Sequence, residues 1–420
     1  MQLQSSKKTF ALLLHKEFSL FISTRFIVVF SLFLQNTVVS YMLYKLTKNP
    51  LSLGLIGLWE VIPAFSCALY AGYLVDRLEK RKAYMWSIVA YAFNAILFIY
   101  ITSQYFVSNH SVQTVEYMVY VGMFISGVIR SILAPSSFSL LPLLVQKTEI
   151  PQAITWSSTS WILGSVMGPL VGGILLAKAN ISVAIIVAAS LLIISIFFIA
   201  NIKPKPINYS KNIGVLKGLA QGFRFVFKQQ VVLAVLSLDL FAVLFGGAEA
   251  LLPVVSTDIL KVSEVGYGWL RSAHGIGAIA LLFVLTYLPL KRNVGKKLFF
   301  CVGMYGLCIL LFGISTSFIF SFGLLFFAGL FDGVSVVIRH SILQLKTPDE
   351  MKGRIASINS MFISSSNELG AFESGVTAKY MGTVPAIIFG GIMTIIVVVS
   401  TLFSAPKLKN LKSLEEEDLK

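Results

Sequence analysis

Apolar runs of about 20 residues or more recur along this chain, and its charges are confined to short islands between them. One such run crosses the ~30 Å hydrocarbon core of a bilayer as a single α-helix. Lipid offers no partner to an unpaired backbone group, so only helices or closed barrels can span it. The chain is therefore expected to be an all-α membrane protein with twelve transmembrane helices. Of its 420 residues 56% are hydrophobic and only 13% charged, a composition that excludes a soluble globular domain. The first apolar run, Phe26 to Tyr44, follows Lys7, Lys8 and Lys16. It is too long for a signal-peptide core and lacks a small-residue cleavage site, so it reads as the first span.

The basic residues assign the orientation. Of the 34 Lys and Arg, 25 fall on one alternating set of connections, five on the other and four within spans. By the positive-inside rule both termini and the longest connector lie in the cytoplasm. The net charge of +15 thus reads as anchoring at the cytoplasmic membrane face, with no nucleic-acid partner. Boundaries expected from these patterns are a six-helix bundle over 1–202, a linker over 203–229, a second six-helix bundle over 230–406 and a cytoplasmic tail over 407–420. The linker opens with Lys203-Pro204-Lys205-Pro206, which stops a helix. It then places Ile213, Leu216, Leu219, Phe223 and Phe227 three or four apart. That spacing predicts an amphipathic helix on the membrane surface, with Lys217, Arg224 and Lys228 towards water.

Within the fifth span, Gly164, Gly168 and Gly172 fall four apart on one helix face, with Pro169 and Gly173 beside them. A face without side chains lets another helix approach to backbone contact, and Pro169 removes one intrahelical hydrogen bond. Such a face suits a place where two bundles touch and part. Gly164-Ser165-Val166-Met167-Gly168-Pro169-Leu170-Val171-Gly172-Gly173 resembles the antiporter motif of exporters of the major facilitator superfamily. After the second span, Gly72-Tyr73-Leu74-Val75-Asp76-Arg77-Leu78-Glu79-Lys80-Arg81-Lys82 is similar to that superfamily's loop motif, with Glu79 where glycine is usual. The resemblance implies two pseudo-symmetric halves of six helices around a central site. It also implies a gate at Gly72, Asp76, Arg77 and Arg81, in which Asp76 meets the positive end of span eleven and Gly72 permits close helix approach. The internal repeat is faint: Leu163-Gly164-Ser165 has its counterpart in Leu369-Gly370-Ala371. Thr347 to Arg354 and Asn367 to Gly375 resemble the branch holding enterobactin-exporter-like and macrolide-efflux-like proteins.

A charge at the bilayer centre costs ~2.5–3.5 kcal/mol on insertion scales, so charged residues inside spans are candidate functional groups. The candidates for substrate or proton coupling are Arg25, Glu60, Arg130, Asp239, Glu249, Asp332, Arg339 and Glu368. Arg271, His274, His340 and Glu373 also lie within spans, the first two near an outer end. By resemblance, spans one, four, seven and ten line the cavity, which places Arg25, Arg130, Asp239, Asp332 and Arg339 nearest the path. Arg25 with Glu60, and Asp332 with Arg339 through a third group, could instead be fixed structural pairs. Gly246-Gly247 gives the seventh span a point to bend.

Cys67, Cys301 and Cys308 form neither a metal spacing nor a disulfide framework, so no metal and no cofactor are expected. There is no phosphate-binding G-x-x-x-x-G-K-[ST] loop for an ATP-driven pump, and no paired catalytic groups for a membrane enzyme. The expectation is a monomeric, proton-coupled antiporter of the inner membrane that works by alternating access. Its substrate would be a small siderophore-like or other anionic molecule, which arginines can grip bidentately. Multidrug or macrolide efflux of lipophilic compounds is the alternative, and a proton-coupled importer a further one.

Overall fold

The computed structural model describes residues 12–206, 215–287, 293–348 and 351–411. Among these residues there are no strands, and twelve helices have 16 residues or more. They are α1 Lys16–Thr47, α2 Pro50–Arg77, α3 Lys80–Ile101, α4 Val112–Leu140, α5 Ile150–Lys178 and α6 Ile181–Ala200. The second set is α7 Gln230–Phe245, α8 Glu264–Tyr287, α9 Val294–Ile314, α10 Phe318–Lys346, α11 Lys352–Met381 and α12 Thr383–Ser404. Ten of them, all except α8 and α11, are long and apolar enough to cross a membrane among the described residues. The chain divides into two compact units: Met1–Thr47 with Ile62–Lys211, and Lys48–Val61 with Asn212–Lys420. Helix α2 is thus shared, residues 50–61 belonging to the second unit and 62–77 to the first.

The first unit packs α1 against α5 and α6, and α3 against α4 and α6. Its apolar core joins Phe18, Phe21, Tyr84, Ile88 and Leu192. Polar side chains stitch α3 to α4: Asn94 donates to Gly122 O at 3.0 Å and to Ser126 Oγ at 2.8 Å. Tyr91 donates to Ser126 O at 3.0 Å. Hydrogen bonds of this kind hold helices together where lipid is as apolar as the side chains themselves.

The glycine face of α5 lies on α1, inside the first unit. A methyl group added at Gly164 would sit 2.9 Å from Phe30 N, and one at Gly168 2.7 Å from Phe30 O. Both are closer than real side chains approach, so these two positions exclude any residue larger than glycine unless α1 moves. At Gly172 the nearest atoms are Leu34 O at 3.5 Å and Thr37 Cβ at 3.6 Å, ordinary contact distance. The helix runs unbroken through Pro169.

The second unit repeats the pattern six helices later: α7 packs on α11, and α9 on α10 and α12. The counterpart of Gly164 behaves alike, since a methyl at Gly370 would lie 2.8 Å from both Val243 O and Leu244 O of α7. The faint sequence repeat therefore marks the same helix crossing in each unit. The first half of α2 adds to this unit through Gly54, which meets α11 at Gly375 Cα and Ala371 O.

The connector divides between the units. Lys203 N donates to Glu17 Oε1 at 3.2 Å, Lys205 Nζ pairs with Glu17 Oε2 at 2.5 Å, and Lys205 N donates to Glu79 Oε1 at 3.0 Å. Glu79 also caps α3, accepting from Arg81 N and Lys82 N. Its φ of −64° and ψ of 120° suit any residue, so the turn has no need of the family's glycine. The amphipathic helix Val215–Lys228 is formed. Its buried side is Val226 and Phe223, packed with Ile355, Ile358 and Phe362 of α11. Phe227 is 65% exposed, as a side chain facing lipid would be. Arg354 fixes the dock by donating to Gln221 Oε1 at 2.7 Å. Ile213 lies outside the described residues, as do the side chains of Leu216, Lys217 and Leu219.

Gly168→Leu is expected to force α5 off α1 and to destabilise the protein by ~1–3 kcal/mol. Gly172→Ala should leave stability unchanged. Thermal melting of the purified protein reads both, and equal melting of Gly168→Leu and wild type would contradict the packing.

Candidate functional site

The broken end of α7 and the crossing of α8 with α10 bring the second unit's titratable groups together. Helix α7 stops at Phe245, and Gly246 and Gly247 carry the chain into a tight turn, Ala248–Leu251. A wider helical turn, Val255–Ile259, follows. The bend expected at the glycine pair is thus a full interruption. Tyr305 of α9 holds the end of α7, donating its hydroxyl to Gly246 O at 3.0 Å. Gly247 backs onto Gly370 of α11, with a methyl there only 2.5 Å from Gly370 O. Glu249 follows in that turn, and its side chain is half exposed.

Helices α8 and α10 meet backbone to backbone. A methyl at Gly277 would overlap Phe326 O of α10, and one at Gly329 would overlap His274 O of α8. That approach sets the His274 ring between two carboxylates. Nδ1 lies 3.6 Å from Glu249 Oε1, and Nε2 lies 3.8 Å from Asp332 Oδ2. Asp332 is three residues beyond Gly329, one turn along the same face of α10. The Tyr305 ring stands edge-on to the imidazole, centroids 6.4 Å apart. One turn before His274 on α8, Arg271 donates to Tyr267 OH at 3.4 Å.

A second constellation lies deeper. Asp239 of α7 forms an ion pair with Arg339 of α10, their side chains only 8% and 3% exposed. The sequence brought both residues near the path but did not pair them. Asp332, the expected indirect partner of Arg339, belongs instead to His274. In the first unit Arg25 joins three helices: its Nε donates to Ser157 O at 3.1 Å and its Nη1 to Ser137 Oγ at 2.7 Å. These neutral partners take the place of the Glu60 pairing considered from the sequence.

Arg130 is half-buried on α4, as is Glu60 on α2. Glu368 of α11 lies beside Gly57 of α2, its Oε2 3.2 Å from a methyl built there. Glu373 accepts from Thr377 Oγ1 at 2.7 Å. Of the gate motif, Arg81 donates to Ile202 O at 2.7 Å and Arg77 is exposed. The Asp76 side chain lies outside the described residues. An added methyl at Gly72 meets no atom within 4 Å. No cluster of three metal-ligating side chains is present among the described residues.

Tyr305 is what the sequence reading passed over, while His274 was named inside a span near an outer end but not joined to Glu249 and Asp332. The available signal was glycine: Gly275 and Gly277 follow His274, and Gly329 precedes Asp332 by one turn.

Asp239→Asn removes the partner of a buried guanidinium and is expected to cost ~3–5 kcal/mol. Asp239→Asn with Arg339→Gln should recover most of that loss, because no buried charge is then left alone. Thermal melting of the three variants measures it, and a single variant as stable as wild type would show that the pair carries no weight.

The family model described as "Transmembrane secretion effector" matches residues 7–419. The chain is 25% identical over 401 residues to enterobactin exporter EntS of Escherichia coli O1:K1, covering 95% of this chain and 94% of that one. It is 25% identical, with the same coverage, to the protein of that name from Escherichia coli O9:H4 strain HS. Among solved structures, a POT family transporter in complex with 5-aminolevulinic acid superposes with a TM-score of 0.72 at 13% identity, covering 93% of this chain and 96% of that one. A bacterial homolog of the human lysosomal transporter Spinster, inward-facing and unoccupied, gives 0.68 at 13% identity, covering 94% and 96%. At such identities the structures speak for the fold alone. The match along nearly the whole sequence places the chain in the transmembrane secretion effector family, multi-pass membrane exporters of the major facilitator superfamily.

Proposed function

We propose that this protein is a proton-coupled exporter that moves a small siderophore-like or other anionic molecule out of the cell by alternating access between its two units. The observation that carries the coupling is the set of carboxylates held among apolar helices, with Glu249 and Asp332 on either side of His274. Carboxylates kept in such surroundings exchange protons at a cost that other charges alter, which is what antiport requires. Export of a siderophore-like substrate is supported by the 25% identity to proteins named as enterobactin exporters. Arginine arithmetic supports an anion less strongly than the sequence alone implied, because Arg339 is neutralised by Asp239. Arg25 still carries its charge among neutral partners, a state that favours an approaching carboxylate or other anion.

The protein acts in the cytoplasmic membrane as a monomer, with both termini and the connector facing the cytoplasm. The 25 to 5 partition of basic residues between the two sets of connections supports this orientation. Protons and the substrate are its small partners, and the bilayer is its solvent.

Everted membrane vesicles from cells making the protein are expected to accumulate enterobactin while respiration runs. A protonophore should reduce accumulation to the level of vesicles without the protein. Accumulation that survives the protonophore would sink the coupling. No accumulation above background, together with energised uptake of lipophilic cations, would replace the siderophore reading with multidrug efflux.

A further inference from the structure

The two nitrogens of His274 face two different carboxylates from two different elements. Nδ1 looks to Glu249 in the turn after α7, at 3.6 Å, and Nε2 to Asp332 on α10, at 3.8 Å. An imidazole so placed takes a proton at one nitrogen and gives up another from the opposite nitrogen. Side-chain exposure falls from 50% at Glu249 to 27% at His274 and 28% at Asp332, so the path runs from a more open carboxylate to a recessed one. Both distances lie just outside hydrogen-bonding range, and a small shift of either element closes one of them. Tyr305 of α9 stands beside this ring, with Cys308 one turn on, and Arg271, bonded to Tyr267, lies one turn before His274 on α8.

From this geometry we infer that His274 relays the coupling proton between Glu249 and Asp332. The inference rests on the proton-coupled reading above and names the residue that carries the proton. The balance is simple. Glu249, as the acid, gives its proton to Nδ1 of a neutral ring whose Nε2 is protonated. The resulting imidazolium gives the Nε2 proton to the Asp332 carboxylate. One proton has moved from Glu249 to Asp332, and the ring is neutral again with its proton on Nδ1. The starting tautomer is restored when water takes the Nδ1 proton and supplies one to Nε2, which the 27% exposure of the ring allows.

The two contacts are mechanically distinct. The Asp332 contact is set by the glycine-lined crossing of α8 and α10, which leaves no room for sliding. The Glu249 contact depends on the turn Ala248–Leu251 beyond the interrupted end of α7, an end held by the Tyr305 hydrogen bond to Gly246 O and by close contact of Gly247 with Gly370 and of Phe245 O with Gly390. Displacement of the half-exposed Glu249 side chain in that turn opens or closes the Glu249 side alone. A relay with one fixed and one movable contact takes its proton in one conformation and passes it on in another, as alternating access demands.

His274→Gln keeps the size and polarity of the side chain but cannot be protonated. In the everted vesicles described above, respiration-driven accumulation of enterobactin by this variant is expected to fall by about a hundredfold, the lower end of what a positioned proton carrier contributes. Exchange of labelled for unlabelled enterobactin in de-energised vesicles, which needs no net proton movement, should persist. If wild-type accumulation resists the protonophore, the coupling reading itself fails and the relay with it. If wild type is sensitive and His274→Gln accumulates at the wild-type rate, the relay is overturned while coupling stands. Nitrogen-15 NMR of labelled histidine in the otherwise intact protein gives an arm that does not depend on the His274 variant. Glu249→Gln should move chiefly the Nδ1 shift of His274, and Asp332→Asn chiefly Nε2. Shifts unmoved by either change would also overturn the relay.

Discussion

Close backbone contact between helices at glycine is the constraint on which the rest of this structure depends. In lipid, apolar side chains gain little by leaving their surroundings for a neighbouring helix, so association rests on tight packing and a few polar bonds. Glycine supplies the tightest approach. Gly164 and Gly168 seat α5 on the backbone of α1, and Gly370 seats α11 on α7. Gly277 and Gly329 interlock α8 with α10. Helices joined so closely cannot slide without loss of contact along their whole length, which makes each such crossing a rigid element. Motion is left to the places where the helix itself is broken, and α7 after Phe245 is such a place.

The same crossings determine where charges can be kept inside the spans. A lone charge there is costly, and each one is retained only with a partner whose position is fixed. Asp239 and Arg339 answer each other across α7 and α10. Arg25 is answered by two oxygens from α4 and α5. The His274 ring is different, because its neighbours sit at 3.6 and 3.8 Å and its protonation state is not dictated by a formed hydrogen bond. The buried pair thus serves the fold, while the looser triad is suited to changing its charge during a transport cycle.

The fold was legible because the length of an apolar run is a direct measure of the bilayer. The span count and the surface helix follow from such lengths and from helical spacing. The interruption of the seventh span at Gly246-Gly247 follows from the loss of side chains there. Partners were not legible. The glycine stripe of α5 revealed a contact face, but nothing along the chain says which helix fills it, and α1 of the same unit does. Asp239 and Arg339 stand 100 positions apart, and only the meeting of α7 with α10 pairs them. The docking of the surface helix was not legible either: Val226, one position before Phe227, is buried against α11. His274 was named inside a span but left apart from Asp332 because it lies near a span's end by counting, whereas the glycines of α8 and α10 bring the two together.

The central claim is that a glycine-set helix crossing holds the proton-carrying group in register. Gly329→Ala tests it most directly, because the added methyl would collide with the His274 backbone while removing no charged group. Gly323→Ala on the same helix is the control, since no atom lies within 4 Å of a methyl there. The account predicts that Gly329→Ala loses protonophore-sensitive accumulation in everted vesicles, keeps exchange, and shifts the His274 nitrogen resonances, while Gly323→Ala matches wild type in all three. Full, protonophore-sensitive accumulation by Gly329→Ala, with the His274 resonances unmoved, would contradict it.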